Sequence, residues 1–275
     1  MYKRSQILPL VFLAATLAGC SAAPDGTLIN DPYEGANRRV HDFNTGLDKA
    51  LLRPASKVTE ALPDALTDRV VEIADNLALP GMVVNGLLQG DLEGAISNTF
   101  RFVLNTTIGL GGLFDPADEA GLYEKTTDFG QTLAVWGVPE GAYIVLPFLG
   151  PSTERDSVGL LVDFAFDPLQ FLVPVEAQEL QPYAFVGKTV ISRGRFGSTV
   201  DSLLYESADP YAQARLLYLQ NRRFDLGVPV DSSYMEGGAE PYADSYADPY
   251  GDFVDPYRSE EHTSELQSQF RISYA

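Results

Sequence analysis

The 275-residue chain has one cysteine, two histidines and one tryptophan. A lone cysteine cannot close an internal disulfide. The histidines, His41 and His262, lie far apart, and no Gly-x-Ser-x-Gly elbow accompanies them. A Ser-His-Asp hydrolase is therefore disfavoured. Too few cysteines and histidines remain for a nitrogen- and sulfur-ligated metal, so none is expected. Positive charge is scarce as well. Against 38 Asp and Glu stand 19 Lys and Arg, for a formal net charge of -19. Such a surface disfavours nucleic acid and offers no polybasic route to anionic lipid. No apolar run reaches the roughly 20 residues of a membrane span.

What is present begins with MYKRSQILPLVFLAATLAGC. Lys3 and Arg4 form a positive start, Ile7 to Ala18 an apolar stretch, and Leu17-Ala18-Gly19 a small-residue approach to a cut. This is the layout of a secretory signal peptide over residues 1–19. The following Cys20 explains its own solitude. Leu-Ala-Gly-Cys resembles the bacterial lipoprotein signal, in which the thiol accepts a diacylglycerol, the chain is cut after Gly19 and the new amine is acylated. Each acyl CH₂ buried in a bilayer contributes about 0.8 kcal/mol, so several chains make a lasting anchor. Ser21 follows, and by resemblance to Gram-negative sorting signals it reads as an outer-membrane address.

Residues 20–30 read as a lipidated tether. A folded body is expected over 31–226, large enough for a substantial core. Asp31-Pro32 offers an N-cap and a first-turn proline. Tyr33, Ala36, Val40, Phe43, Leu47 and Ala50 then keep helical spacing until Pro54, expected to end the helix. A second helix is expected from Asp64 to Leu77, with Val70, Ile73 and Leu77 inward, followed by an apolar stretch punctuated by Gly81, Gly86 and Gly90. From Asp91, the residues Leu92, Ala95, Ile96, Phe100 and Val103 repeat the period. Asp128 should cap a short helix through Trp136. Residues 137–152 admit a strand, an extended loop or a re-entrant turn. Helices are expected over 155–166, over about 182–205 with glycine interruptions, and from Asp209-Pro210 to Arg223. Beyond residue 226, PYADSYADPYGDFVDPY is acidic, tyrosine-rich and without period, so 227–275 reads as a disordered tail that could reach a basic partner. Residues 258–275 change composition again and read as a scar foreign to the native chain.

Other features admit two readings each. Asp115, Asp118 and Glu119 could be an acid/base or cation site, or a solvated loop with a helix cap. The glycines of Ile108–Gly112 lack the Lys-Ser/Thr of a phosphate loop, so nucleotide binding is rejected; they suit a close backbone approach or a hinge. Trp136 and its aromatic neighbours fit either a core or a membrane interface.

DPYEGANRRVHDFN (31–44), NLALPGMVVNGLLQGD (76–91), RFVLNTTIGLGGLFDPA (101–117), DFGQTLAVWGVPEGAYIVLPFLGPSTERD (128–156) and SADPYAQARLLYLQNRR (207–223) together resemble the MlaA (VacJ) family of Gram-negative outer-membrane lipoproteins. The resemblance implies an all-α, ring-like body lying in one leaflet, with a central amphipathic channel. It implies binding to trimeric porins and removal of stray phospholipid from the outer leaflet to a periplasmic carrier of the MlaC type. An ATP-driven inner-membrane complex would return the lipid, with no catalysis and no cofactor in this chain. Apolar stretches at 77–89 and 141–149 fit half of a ~30 Å hydrocarbon core. Asn37, Arg38, Asn44, Asn85, Arg101 and Asn105 are candidate polar lining. Phe43, Asn44, Gly109, Gly111 and Gly112 are candidate gate residues, expected to flex against each other; proline at Gly111 and Gly112 should then block flux and spare the fold. The alternatives are an adaptor tethering porins to periplasmic partners and an envelope hydrolase built on Asp115 or Asp118.

Overall fold

The computed structural model describes residues 29–172 and 178–228. The signal peptide, Cys20, most of the tether, and the tail from residue 229 lie outside the described residues.

The described body is almost entirely helical. Helix α1 (Glu34–Leu47) passes through a π-helical turn (Asp48–Leu52) into α2 (Arg53–Glu60). Pro54 does not end the run, contrary to the sequence expectation. The Arg53 amide bonds back five residues to Asp48, and the widened turn makes room for a ring that would clash with the carbonyl four residues earlier. Asp31 does not cap α1 either: Tyr33 precedes the helix without a side-chain cap bond. The Asp31 carboxylate instead accepts from Asn37, Tyr211 and Arg215, which ties the start of the body to its last helix.

Helix α3 (Asp64–Gln89) is longer than the sequence suggested. It continues through Pro80 and Gly81 and stops at Gly90, whose φ of 79° is the left-handed close that glycine adopts without strain. By length and composition alone it could cross a membrane; only 33% of its most apolar window is buried. Helix α4 (Leu92–Thr107) returns along it, capped by Asp91 accepting from the Gly94 amide. A one-turn helix, α5 (Pro116–Glu119), is capped by Asp115, and α6 (Phe129–Val135) by Asp128. The ambiguous apolar run resolves as an antiparallel hairpin, β1 (Tyr143–Leu146) against β2 (Gly150–Thr153), with Tyr143 opposite Thr153. Then follow α7 (Glu154–Ala165), α8 (Leu169–Leu172), α9 (Leu180–Arg195), α10 (Gly197–Asp201), a second π-helical turn (Ser202–Glu206) and α11 (Pro210–Asp225). Asp209 caps α11 with Pro210 in its first turn, as the sequence indicated.

The apolar core is thin and divided. One cluster joins Tyr143, Val145, Tyr211 and Leu219; another joins Leu77, Leu169 and Ala184. Among the described residues, buried polar and charged side chains outnumber buried apolar ones. Large apolar side chains are instead abundant outside. Helix α4 shows the reversal most plainly. The period is as expected, and of its members Ala95 is buried while the larger apolar side chains face out. Leu92, Ile96, Phe100 and Val103 are 60%, 57%, 57% and 49% exposed, while Asn98, Arg101 and Asn105 are buried. The same sense holds on α7, where Leu161 and Phe164 face outward and Arg155 and Asp156 inward. Water favours the opposite arrangement, since apolar surface left exposed forgoes about 25 cal/mol per Å². The stretches 77–89 and 141–149 contribute less apolar surface than expected: Leu77, Leu79, Tyr143 and Val145 are core residues.

Candidate functional site

Buried asparagines do much of the tying. Asn37 and Asn44 lie seven residues apart on one face of α1. The Asn37 Nδ2 donates to the Tyr143 carbonyl at 3.0 Å, and its Oδ1 accepts from the Val145 amide at 3.0 Å. Asn44 does the same one step along, to the Leu146 carbonyl and from the Phe148 amide, both at 2.9 Å. Their two-faced amides match two adjacent backbone groups at once. Asn98 clamps both backbone groups of Lys125. Asn105 holds Asp115 and the Ala117 amide. Asn85 bridges Asp163 and Thr132. The guanidinium of Arg101 bonds Asp115 and the Leu122 carbonyl.

Between α1, the hairpin, α9 and the second π turn lies a cavity of about 140 Å³. Leu47, Leu52, Phe148, Leu149, Phe185 and Leu204 supply its apolar wall. His41, Asn44, Thr45, Asp48, Thr189 and Arg193 supply the polar one. Phe43 stands beside it, its ring packed edge-on against Phe148 at 5.4 Å. A second cavity of about 180 Å³ adjoins, lined by Arg38, Asp42, Asp209 and Tyr211 with His41, Thr45 and Leu204 again.

Arg193, Asp48, Arg38 and Asp209 around these cavities are fixed in pairs. Arg193 clasps the buried Asp48 with two bonds, 2.8 and 3.0 Å, and reaches Asp201 at 2.5 Å. Burial alone would make the Arg193 guanidinium easier to deprotonate; the Asp48 and Asp201 carboxylates outweigh it and hold it above its usual value. The Tyr205 hydroxyl donates to Asp48 at 2.6 Å, and burial together with that carboxylate pushes it up to about 12. Arg38 forks onto Asp209 at 2.8 and 3.0 Å and lies 4.5 Å over the Tyr211 ring. Its hydrogen bonds hold Asp209 down at about 2. The His41 imidazole is buried, which lowers its pKa against the opposing pull of Asp42 and Asp209.

The expected site residues therefore divide. Asn44 and Arg38 line the two cavities, and Phe43 supports the wall of the first. Asn37, Asn85, Arg101 and Asn105 are committed to internal bonds and line neither cavity. Gly109, Gly111 and Gly112 also lie away from both. They form a bonded turn: the Gly111 amide donates to Thr106, the Gly112 amide to Asn105, and the Phe114 amide to Gly109. The expectation that proline there spares the fold is corrected. Gly111 and Gly112 have φ of 80° and 90°, and proline fixes φ near −65° and carries no amide hydrogen. Asp115, one of the hydrolase candidates, accepts from Arg101, Asn105 and the Asp118 amide, the work of a cap rather than an acid. Trp136 is exposed and donates to the Leu88 carbonyl at 3.1 Å, which removes the core reading for it. Among the described residues, no group of three His, Cys, Asp or Glu could hold a metal. Thr45 and Leu204 went unnoticed in the sequence, and His41 was weighed there only as a catalytic base. His41 is four residues from Asn37 and three from Asn44, so helical phase could have placed it on the buried face.

A family model described as MlaA lipoprotein matches residues 29–225. The chain belongs to the MlaA lipoprotein family. Two MlaA relatives are named as the intermembrane phospholipid transport system lipoprotein MlaA. The Escherichia coli protein is 34% identical over 219 residues, covering 76% of this chain and 83% of its own length. The Haemophilus influenzae protein is 32% identical over 233 residues, covering 82% and 91%. A solved structure concerned with the structural basis for maintenance of bacterial outer membrane lipid asymmetry superposes with a TM-score of 0.62 at 32% identity, over 71% of this chain and 98% of that one. The all-α expectation thus agrees with the MlaA fold, with the short hairpin as an addition.

Proposed function

We propose that this protein is a non-enzymatic outer-membrane lipoprotein that takes mislocalised phospholipid from the outer leaflet and passes it to a soluble periplasmic carrier of the MlaC type. The reversed faces of α4 carry this reading. A helix that turns Leu92, Ile96, Phe100 and Val103 outward and Asn98, Arg101 and Asn105 inward suits an apolar surround and a wet interior. The body sits in the inner leaflet of the outer membrane, ring-like around an amphipathic passage, held by acyl chains on Cys20 and seated against a trimeric porin. The lining of the cavity flanked by α1 and α9, where apolar and polar walls face each other, matches the two textures of a phospholipid. At about 140 Å³ the cavity is smaller than the roughly 300–1,000 Å³ of ordinary ligand pockets, so a two-chained lipid requires it to widen.

The test is reconstitution of the acylated protein in bilayers carrying labelled phospholipid in one leaflet, with a lipid-binding carrier as acceptor. Loss of label to the carrier above the protein-free rate is expected. An unchanged rate refutes transport and leaves the adaptor reading.

A further inference from the structure

His41, Thr45 and Leu204 line both cavities. They form a wall between a space with an apolar side and a space ringed by Arg38, Asp42 and Asp209. The wall carries polar atoms that are left unpaired. The His41 Nε2 and the Thr45 Oγ1, one helical turn apart on α1, are sealed from solvent without a hydrogen-bond partner. Such groups are normally satisfied, and a native exception calls for a reason. The third member, Leu204, sits in the π turn Ser202–Glu206, which ends the helical run begun by α10. The other π turn begins at Asp48, three residues after Thr45. The two turns are joined directly, Tyr205 to Asp48 at 2.6 Å, and Arg193 ties Asp48 to Asp201, the residue just before the second turn.

We infer that His41, Thr45 and Leu204 are the gate of a single passage made of the two cavities, with Leu204 as the moving bolt and the His41 and Thr45 side chains as the groups that meet a phosphodiester headgroup when it crosses. The inference rests on the lipid-passage reading and deepens it. In the shut form Leu204 closes over atoms that have nothing to bond. In the open form the headgroup or its water reaches them. The Tyr205–Asp48 bond keeps the two π turns in step while Leu204 moves.

Two measurements on the full-length acylated protein in vesicles test this. Labelled phosphatidylethanolamine flux is compared for wild type, Leu204→Ala and Leu204→Trp, with Leu204→Met as a volume-conserving control. Thr45→Cys is then labelled with a membrane-impermeant thiol reagent, alone and combined with Leu204→Ala, against the background of a chain carrying only Cys20. Thermal unfolding checks that each variant is folded. Leu204→Ala should raise flux and speed labelling of position 45 by about tenfold, the effect of a shut state made minor; Leu204→Trp should reduce flux by a similar factor, and Leu204→Met should behave as wild type. Wild-type flux with no response to either Leu204 variant overturns the gate and leaves the transport reading standing. If the wild type moves no lipid, the transport reading fails and labelling judges the wall alone: acceleration supports it, an unchanged rate overturns it.

Discussion

Exchanging residues on the two faces of α4 separates a membrane body from a water-soluble one. Leu92, Ile96, Phe100 and Val103 are each roughly half exposed. Full burial of one such side chain is worth about 1.5–3 kcal/mol, so the exposed halves of four give about 3–6 kcal/mol for the bilayer to gain. Replacing all four with serine should weaken vesicle binding of a non-acylated Cys20→Ala chain by about 10²–10⁴-fold at 1.4 kcal/mol per decade, with little change in unfolding free energy in water. Asn98→Leu makes the opposite exchange on the opposite face. It removes both partners of the Lys125 backbone. Each buried group left unpaired costs about 1–3 kcal/mol, so about 2–6 kcal/mol of stability should disappear although the new residue is more apolar. Vesicle flotation reads the first effect and urea unfolding the second. Serine variants that float like the wild type, or an Asn98→Leu chain as stable as the wild type, would refute the reversed arrangement.

Arg193→Ala should cost about 3–5 kcal/mol in chemical unfolding, because it strands the buried Asp48 carboxylate. Gly112→Ala should destabilise more than Gly111→Ala: both have positive φ, 80° at 111 and 90° at 112, but only at 112 does a Cβ meet Asn76, at 2.6 Å; thermal melting ranks the pair. Because burial lowers the His41 pKa, the unfolded chain takes up the proton first as acid is added. Stability should fall as pH drops from about 6.5 toward the lowered value, and His41→Leu should flatten that part of the profile. Asp209 behaves oppositely: held at about 2 by Arg38, it stabilises the fold above the ordinary Asp range near 3.9, a contribution lost as pH falls toward 2, and Arg38→Met should remove it.

Helix positions were legible because periodicity and capping are local. Asp91, Asp128 and Asp209 announce their helices, and each caps as its spacing suggests. Orientation was not legible. A 3.6-residue period reports that two faces differ; which one faces the interior depends on what lies around the protein. The period along α4 therefore did not say that Leu92, Ile96, Phe100 and Val103 would face outward. Proline also misled, because the π turn that accommodates Pro54 depends on hydrogen bonding that no short motif encodes. At the site, the sequence brought out Asn44 and Arg38, but the amides of Asn37, Asn85 and Asn105 looked alike from composition and serve as clamps. Leu204 and Thr45 are ordinary residues made special by elements 159 positions apart in sequence, and only folding brings them to one wall.

The amides on α1 have a consequence for how molecules of this kind avoid one another. The side of β1 away from β2 would present bare backbone groups, a template on which a neighbour's strand could crystallise into a shared sheet. The Asn30 backbone carbonyl takes the Tyr143 amide, and the Asn37 side chain takes the Tyr143 carbonyl and the Val145 amide, so the chain before α1 and a side chain on it together form a counterfeit third strand. Crowded bodies in a two-dimensional film thereby meet a finished border instead of an invitation to polymerise.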